Sequence, residues 1–471
     1  LGFSPITMSA NADPTDEDML CCGTWHNTSH SNADHDEGND IATDANENVY
    51  VVGTYDGYTN FENTSIPSSL ANQGEAMFLA KYNFCGRLQW VAYSEETSTT
   101  TGATGKGIIL DEANNVAYIT GSYTGLNNVF TSANGLSQIS MSPSGGTGLY
   151  VAAFDMTNGN VLWVHDYQNG SSSLDVSAIA LDGEGELLVT GTTYGGSGAQ
   201  AFLYKTDATN ANYYFLTGSL GSYGTDLACT GANQRVYMTG NYESNFSFNG
   251  TGTITKAVGA IQDGFLLFLD DGTGITQPTV TKMTKSGVYG GSSYAEINGV
   301  HIDQSGFPLV VGTFNNGKLD DYFVDPVFSQ TTVGANPTNE MFAARVDPNA
   351  VWGAGSWLVY SSQSSPFGTN GVFGKDINFD GSNVIIGGHH DYNFNLYFAN
   401  SALTSSLTYN GNGPVNAYQV SISTAGVPQW NLNAKGDLQE VSRLAVSTQS
   451  NVFTTGHYLG TMDMTNGDIP I

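Results

Sequence analysis

Ile41-Ala42-Thr43-Asp44, followed by Val49-Tyr50-Val51-Val52-Gly53, is the stretch that organises this chain. Each apolar run has the length and the β-branched and aromatic content of a strand. The four residues between them, Ala45-Asn46-Glu47-Asn48, suit a turn. The pair therefore reads as a β-hairpin. It returns as Ile108–Asp111 with Val116–Gly121, Ile179–Asp182 with Leu187–Gly191, and Leu227–Thr230 with Val236–Gly240. Three more copies follow: Val300–Asp303 with Leu309–Gly312, Ile377–Asp380 with Val384–Gly388, and Leu444–Ser447 with Val452–Gly456. From the Asp-like position to the Gly the separation stays between 8 and 10 residues, which fixes the hairpin geometry.

Between copies a third strand-like segment recurs: Met77–Tyr82, Leu149–Asp155, Ala201–Asp207, Gly264–Asp270, Met341–Asp347 and Ala417–Ile422. A polar turn and a fourth apolar run follow it, carrying Trp90, Trp163, Trp357 or Trp430 in four copies, with Trp25 ahead of the first. Four strands per repeat, seven times, with period-2 alternation and no amphipathic helix, predict an all-β seven-bladed β-propeller of four-stranded antiparallel blades. The whole of 1–471 is read as one such domain, with blade repeats starting near 38, 105, 175, 224, 295, 374 and 440. The third strand is visible only six times. Residues 1–30 are therefore expected to complete the last blade, residues 3–10 as its third strand and the segment around Trp25 as its fourth. A segment beyond 471 in a longer precursor is the alternative source.

Composition bounds the partners. Against 13 Lys+Arg stand 43 Asp+Glu, a net charge of −30, which repels phosphate backbones and excludes nucleic acid. No apolar run approaches the ~20 residues of a membrane span, so direct insertion is not expected. Four cysteines do not make a disulfide-dense scaffold, but few Lys, many Ser, Thr, Asn and Gly, and the acidity point to an extracellular or cell-surface chain whose export signal is absent.

The repeat resembles that of the bacterial SBBP β-propeller family. The likeness rests on Asn48-Val-Tyr-Val-Val-Gly53 with Ala76-Met-Phe-Leu-Ala-Lys81 and Leu88-Gln-Trp90, and more loosely on Asn115–Gly121 with Val161-Leu-Trp163. It runs from about Trp25 to Gly456. Thr230 in place of Asp, and Phe307-Pro308 in place of Asn-Val, depart from it. The resemblance implies secreted or surface-displayed modules without a shared catalytic motif.

The connection between second and third strands varies from about 10 to about 29 residues, and this loop-rich face is where a ligand site is expected. An aromatic or imidazole follows the motif Gly by a few residues in every copy: Tyr55, Tyr123, Tyr194, Tyr242, Phe314, His390 with Tyr392, and Tyr458. These rings are either stacking platforms for a glycan or packing between blades. His26, His30 and His35, and His389-His390-Asp391, are weaker transition-metal candidates. Asp182-Gly-Glu184-Gly-Glu186 sets carboxylates at alternate positions of a turn, and Asp13, Asp16, Glu17 and Asp18 form an acidic stretch. Hard oxygen donors make Ca²⁺ the cofactor this pattern suits. Cys22 and Cys85 are a candidate disulfide across the last and first blades, while Cys229 reads as a small buried residue. Five N-glycosylation sequons begin at Asn27, Asn63, Asn169, Asn245 and Asn249.

No nucleophile elbow, zinc-protease helix or phosphate loop is present in the sequence. The functional expectation is thus a non-enzymatic adhesion, scaffold or filament/surface-assembly module that binds protein or glycan and self-assembles or joins a larger surface complex. A polysaccharide hydrolase or lyase with carboxylates in the central funnel is the alternative.

Overall fold

A computed structural model describes residues 2–3, 6–8, 29–31 and, from 36 to 463, all but 57–58, 62–63, 67–74, 96–101, 126–127, 142–146, 209–211, 232–234, 257, 275, 290–292, 316–317, 321–328, 332–338, 348–355, 364–370, 391–393, 399–415, 426 and 434. The described residues contain no helix, and their strand pairs are antiparallel apart from two short parallel contacts, Ala260 opposite Ser293 and Asn339 opposite Gly371. Two compact units divide the chain. One holds Leu1–Ile179, Thr193–Gly196 and Ser442–Gly460; the other holds Ala180–Thr192, Ser197–Val441 and Thr461–Ile471.

Six sheets share one plan, in which four sequential strands, a to d, lie in spatial order. The first has Asp36–Thr43, Val49–Asp56, Glu75–Tyr82 and Leu88–Glu95. The second has Gly107–Asp111, Val116–Thr124, Thr147–Asp155 and Val161–Tyr167. The third is Ser173–Leu181, Leu187–Gly195, Gly198–Thr206 and Tyr213–Thr217. The fourth has Ser222–Cys229, Arg235–Tyr242, Ala260–Asp270 and Thr279–Tyr289. Ser293–Ile302, Pro308–Asn315, Asn339–Arg345 and Trp357–Gln363 form the fifth. Val372–Phe379, Asn383–His390, Asn416–Ser423 and Pro428–Asn433 form the sixth.

A further sheet joins Val452–Asp463 to strands from the start of the chain. Ile6, Thr7 and Met8 lie opposite Thr454, Phe453 and Val452, and Gly2 and Phe3 lie opposite Tyr458 and His457. Ser29–Ser31 pairs with Gly2–Phe3, whereas the segment around Trp25 lies outside the described residues.

The repeated residues have identifiable work. At the a–b turn, Asp44 Oδ1 accepts from the backbone N–H of Asn46 and Asn48, both at 2.9 Å. Asp303 Oδ1 does the same for Ser305 and Phe307, at 2.8 and 2.9 Å. A short side-chain acceptor is needed there, and in the fourth copy the Thr230 hydroxyl replaces the carboxylate, accepting from Arg235 N–H at 3.1 Å. The motif Gly is required by contact: a Cβ on Gly53 would stand 2.1 Å from the Glu37 carbonyl and 2.5 Å from the Phe78 ring.

Sheets pack face to face in chain order within each unit. In one, Tyr55, Phe78 and Val51 share a core with Ala445 and Phe453, and Tyr50, Trp90 and Leu79 share another with Ile119 and Phe154. In the other, successive cores join third to fourth, fourth to fifth and fifth to sixth sheets. Burying each such side chain contributes roughly 1.5–3 kcal/mol. A polar latch crosses the a strands. Asp40 takes the N–H of Ile41 at 2.9 Å on one oxygen and that of Ile108, in the next sheet, at 2.8 Å on the other. Asp226 repeats this with Leu227 and Val300, each at 2.9 Å. Both aspartates sit at β-bulges, which turn the carboxylate toward the neighbouring sheet.

The b–c connections are not free loops in their described parts. The hairpin Asn128–Thr131/Gln138–Met141 leaves the second sheet and pairs onto the d strand of the first, with Phe130 opposite Ser94. Lys318–Asp320/Ser329–Thr331, from the fifth, adds to the d strand of the fourth. Phe394–Phe398, from the sixth, adds to that of the fifth. Phe246–Phe248/Thr251–Ile254, from the fourth, bonds the end of the third through Asn249 N–H to the Thr217 carbonyl at 2.8 Å. Each insertion reaches back to cover the outer edge of the sheet before it.

Candidate functional site

The alternating carboxylates of Asp182-Gly-Glu-Gly-Glu186 occupy the a–b turn of the third sheet, and the turn sends its three side chains to different tasks. Asp182 Oδ1 accepts from the N–H groups of Glu184 and Glu186, both at 2.8 Å, so one oxygen closes the turn. Gly185 adopts φ 87°, a left-handed conformation that a β-carbon would strain. The Glu184 carboxylate accepts from Gly274 N–H in the turn after the c strand of the fourth sheet, clamping the two turns together.

Asp182 and Glu186 converge instead on Lys205 of the c strand. Its Nζ lies 2.6 Å from Glu186 Oε2, 3.7 Å from Asp182 Oδ2 and 2.8 Å from Asp271 Oδ1. The ammonium also donates to the Gly274 carbonyl at 3.2 Å. Asp182, Glu186 and Asp271 bring ligand oxygens within 4.8 Å of one another. The Lys205 and Asp271 side chains are each only 1% exposed. Burial opposes the charge on Lys205, but its hydrogen bonds to Asp271 and Glu186 outweigh burial and raise its pKa. Burial raises both Glu186 and Asp271 against the pull of Lys205, Asp271 to about 6. Cys229, in the a strand of the fourth sheet, stands beside the group; burial and the nearby Asp271 and Asp182 hold its thiol well above the usual range.

Of the residues read as calcium ligands, then, Asp182 and Glu186 are brought together and Glu184 is not. Asp271 was missed. It lies 85 residues after Glu186, just past the end of a c strand, where other copies carry Phe84, Met156, Ala208 and Thr424, so no repeated pattern marked it.

The aromatic series needs correction. Tyr55, Tyr123, Tyr242 and Phe314 are at most 1% exposed and lie in the cores between sheets. The Tyr55 hydroxyl donates to the Ser94 carbonyl at 2.9 Å and that of Tyr123 to Asp166 at 3.1 Å. A ring enclosed on both faces cannot stack on a ligand, so these four are packing residues. His390 is also fully buried, its ring 5.9 Å from that of Tyr418. His389 stacks on Phe373 with ring centres 4.6 Å apart, and its Nδ1 is 4.0 Å from Glu440 Oε2. Among the members whose side chains are described, Tyr194 alone is exposed. Tyr458 takes part through its backbone, opposite Gly2, and Tyr392 lies outside the described residues. So do Cys22, the partner required for the Cys85 disulfide, and His26, His35 and the acidic stretch from Asp13 to Asp18.

No protein-family model matches the chain. Over 134 residues it is 33% identical to an uncharacterized WD repeat-containing protein, L264, of Acanthamoeba polyphaga mimivirus. That match covers 26% of this chain and 9% of the viral protein, so it spans a small part of that relative's length. Among solved structures the chain is similar to the Dos1 propeller, at 11% identity and TM-score 0.42, over 91% of this chain and 94% of that one. It is also similar to polysaccharide lyase Uly1, at 12% identity and TM-score 0.40, over 91% of each chain. The WD40 domain of SCAP from fission yeast aligns at 8% identity and TM-score 0.34, over 90% of this chain and 96% of that one.

Proposed function

We propose that the chain is a seven-bladed β-propeller of the SBBP type, its last blade completed by the N-terminal strands. It serves as a non-enzymatic extracellular or cell-surface module for adhesion, scaffolding or surface assembly. The observation that carries this reading is the division of labour among its polar residues. The a–b turn aspartates and the Asp40 and Asp226 latches go into holding strands and sheets in register. The same holds for Arg345, whose Nε donates to Asp303 at 2.6 Å. What varies from copy to copy is the length of the insertions, and variation on a rigid repeat is how binding surfaces diversify.

Charge narrows the partner class. At −30 the chain repels polyanions, so its partner is a neutral glycan or a basic protein surface. The d–a connections and the insertions present the contact, with Tyr194 an available ring. Purified chain is tested against immobilised neutral glycans, acidic polysaccharides and candidate surface proteins, with product release followed in parallel. Saturable binding without new reducing ends or unsaturated sugars supports the module. Turnover of any polysaccharide, retained through repurification and lost with the chain, would establish the hydrolase or lyase instead.

A further inference from the structure

The group around Lys205 holds three carboxylates against one ammonium. If all are ionised, two negative charges stay uncompensated where side chains are 1–10% exposed. Leaving charge buried without a counter-charge costs several kcal/mol, so such a group takes up something positive. The geometry shows where. Lys205 uses Oδ1 of Asp271, while Oδ2, equally buried, has no hydrogen-bond partner. The Asp182 and Asp271 carboxylates bring oxygens within 4.8 Å of each other, an approach that two bare anions resist.

Every donor here is a hard oxygen: Asp182, Glu186 and Asp271, with the Gly274 carbonyl turned to the same point through its bond from Lys205. Neither sulfur nor imidazole is among the three ligating side chains, which disfavours zinc and copper. The set comes from two turns, the second of them the glycine-rich Asp271-Gly-Thr-Gly274, with Gly272 and Gly274 both at φ 70°. Turns of this kind tolerate the irregular oxygen shells of a larger ion better than the strict octahedron Mg²⁺ demands.

We propose that Asp182, Glu186 and Asp271 form a binding site for a divalent cation of calcium size, in which Lys205 is the competing occupant. The ion and the ammonium draw on the same three carboxylates, so the charge on Lys205 weakens binding of the ion. Because these carboxylates come from the third and fourth sheets, the bound ion ties the two sheets together.

Calorimetric titration of the whole chain with CaCl₂ at pH 8, alongside thermal melting with and without Ca²⁺, tests this. The parent protein is expected to bind one Ca²⁺ and to melt higher in its presence. Lys205→Gln removes the competitor and is expected to bind at least ~10-fold tighter, a gain of ~1.4 kcal/mol. Asp271→Asn is expected to lose at least ~10-fold and to show no calcium-dependent rise in melting temperature; should it not fold, Glu186→Gln serves the same purpose. Absence of binding heat in both the parent and Lys205→Gln overturns the proposal and leaves a shared proton as the compensating charge. Unchanged affinity in Lys205→Gln, or retained affinity in Asp271→Asn or Glu186→Gln, also overturns it, placing any calcium elsewhere.

Discussion

Asp226 spans two sheets with two oxygens, and its loss is expected to be disproportionate for a single side chain. Asp226→Ala strands the N–H groups of Leu227 and Val300 and should cost ~2–4 kcal/mol, read as a lower urea midpoint at unchanged slope. Tyr55→Phe loses the hydroxyl bond to Ser94 and should cost ~1 kcal/mol, while Tyr194→Ala, at an exposed ring, should stay within ~0.5 kcal/mol. That contrast separates packing rings from surface rings by denaturant melts alone. His301 sets a pH dependence. Burial pushes its pKa down to about 4 despite Asp226 and Asp303 beside it, so the folded state favours the neutral imidazole. Its contribution is complete above ~6.5 and is lost as pH falls from ~6.5 toward 4, because the unfolded chain takes the proton first. Melting temperature should decline across that window in the parent, and the decline should be shallower in His301→Gln. At this scale the turn aspartates were legible, because their partners lie two and four residues away. The latch was not: Asp226 meets a backbone N–H 74 residues later, and no local pattern encodes that meeting.

The a–b hairpins, and the c and d strands of the six four-stranded sheets, fell where alternation and turn residues put them. The insertions did not read as strands, since Asn128–Thr131 and Lys318–Asp320 are too short for a period-2 pattern to emerge. One signal was available. Asn249-Gly250 forms a two-residue hairpin turn with φ of 49° and 70°, the geometry that Asn-Gly selects, although the same residues also open a sequon. Covering outer strands is a defence against edge-to-edge pairing. Replacing 128–141 with a short Gly-Ser linker should uncover the edge at Tyr93–Glu95 and increase aggregation, seen as a rise in light scattering at constant concentration. A replaced hairpin that leaves the chain as soluble as before would count against the edge-cover role.

For the whole molecule, the repeat and its seven a–b hairpins were readable from the first residues quoted, whereas the joining of chain ends was only an inference from an uneven strand count. Ile6–Met8 lies antiparallel to Val452–Thr454. The most direct test of the seven-blade account is a paired cysteine at opposed positions, Thr7→Cys with Phe453→Cys, oxidised at low concentration and mapped by peptide mass. The account predicts one disulfide within a single chain, joining residue 7 to residue 453, with native Cys21, Cys22, Cys85 and Cys229 outside that cross-link. Failure to form it in folded protein, or its appearance only between two chains, would contradict the completion of the last blade by the N-terminal strand.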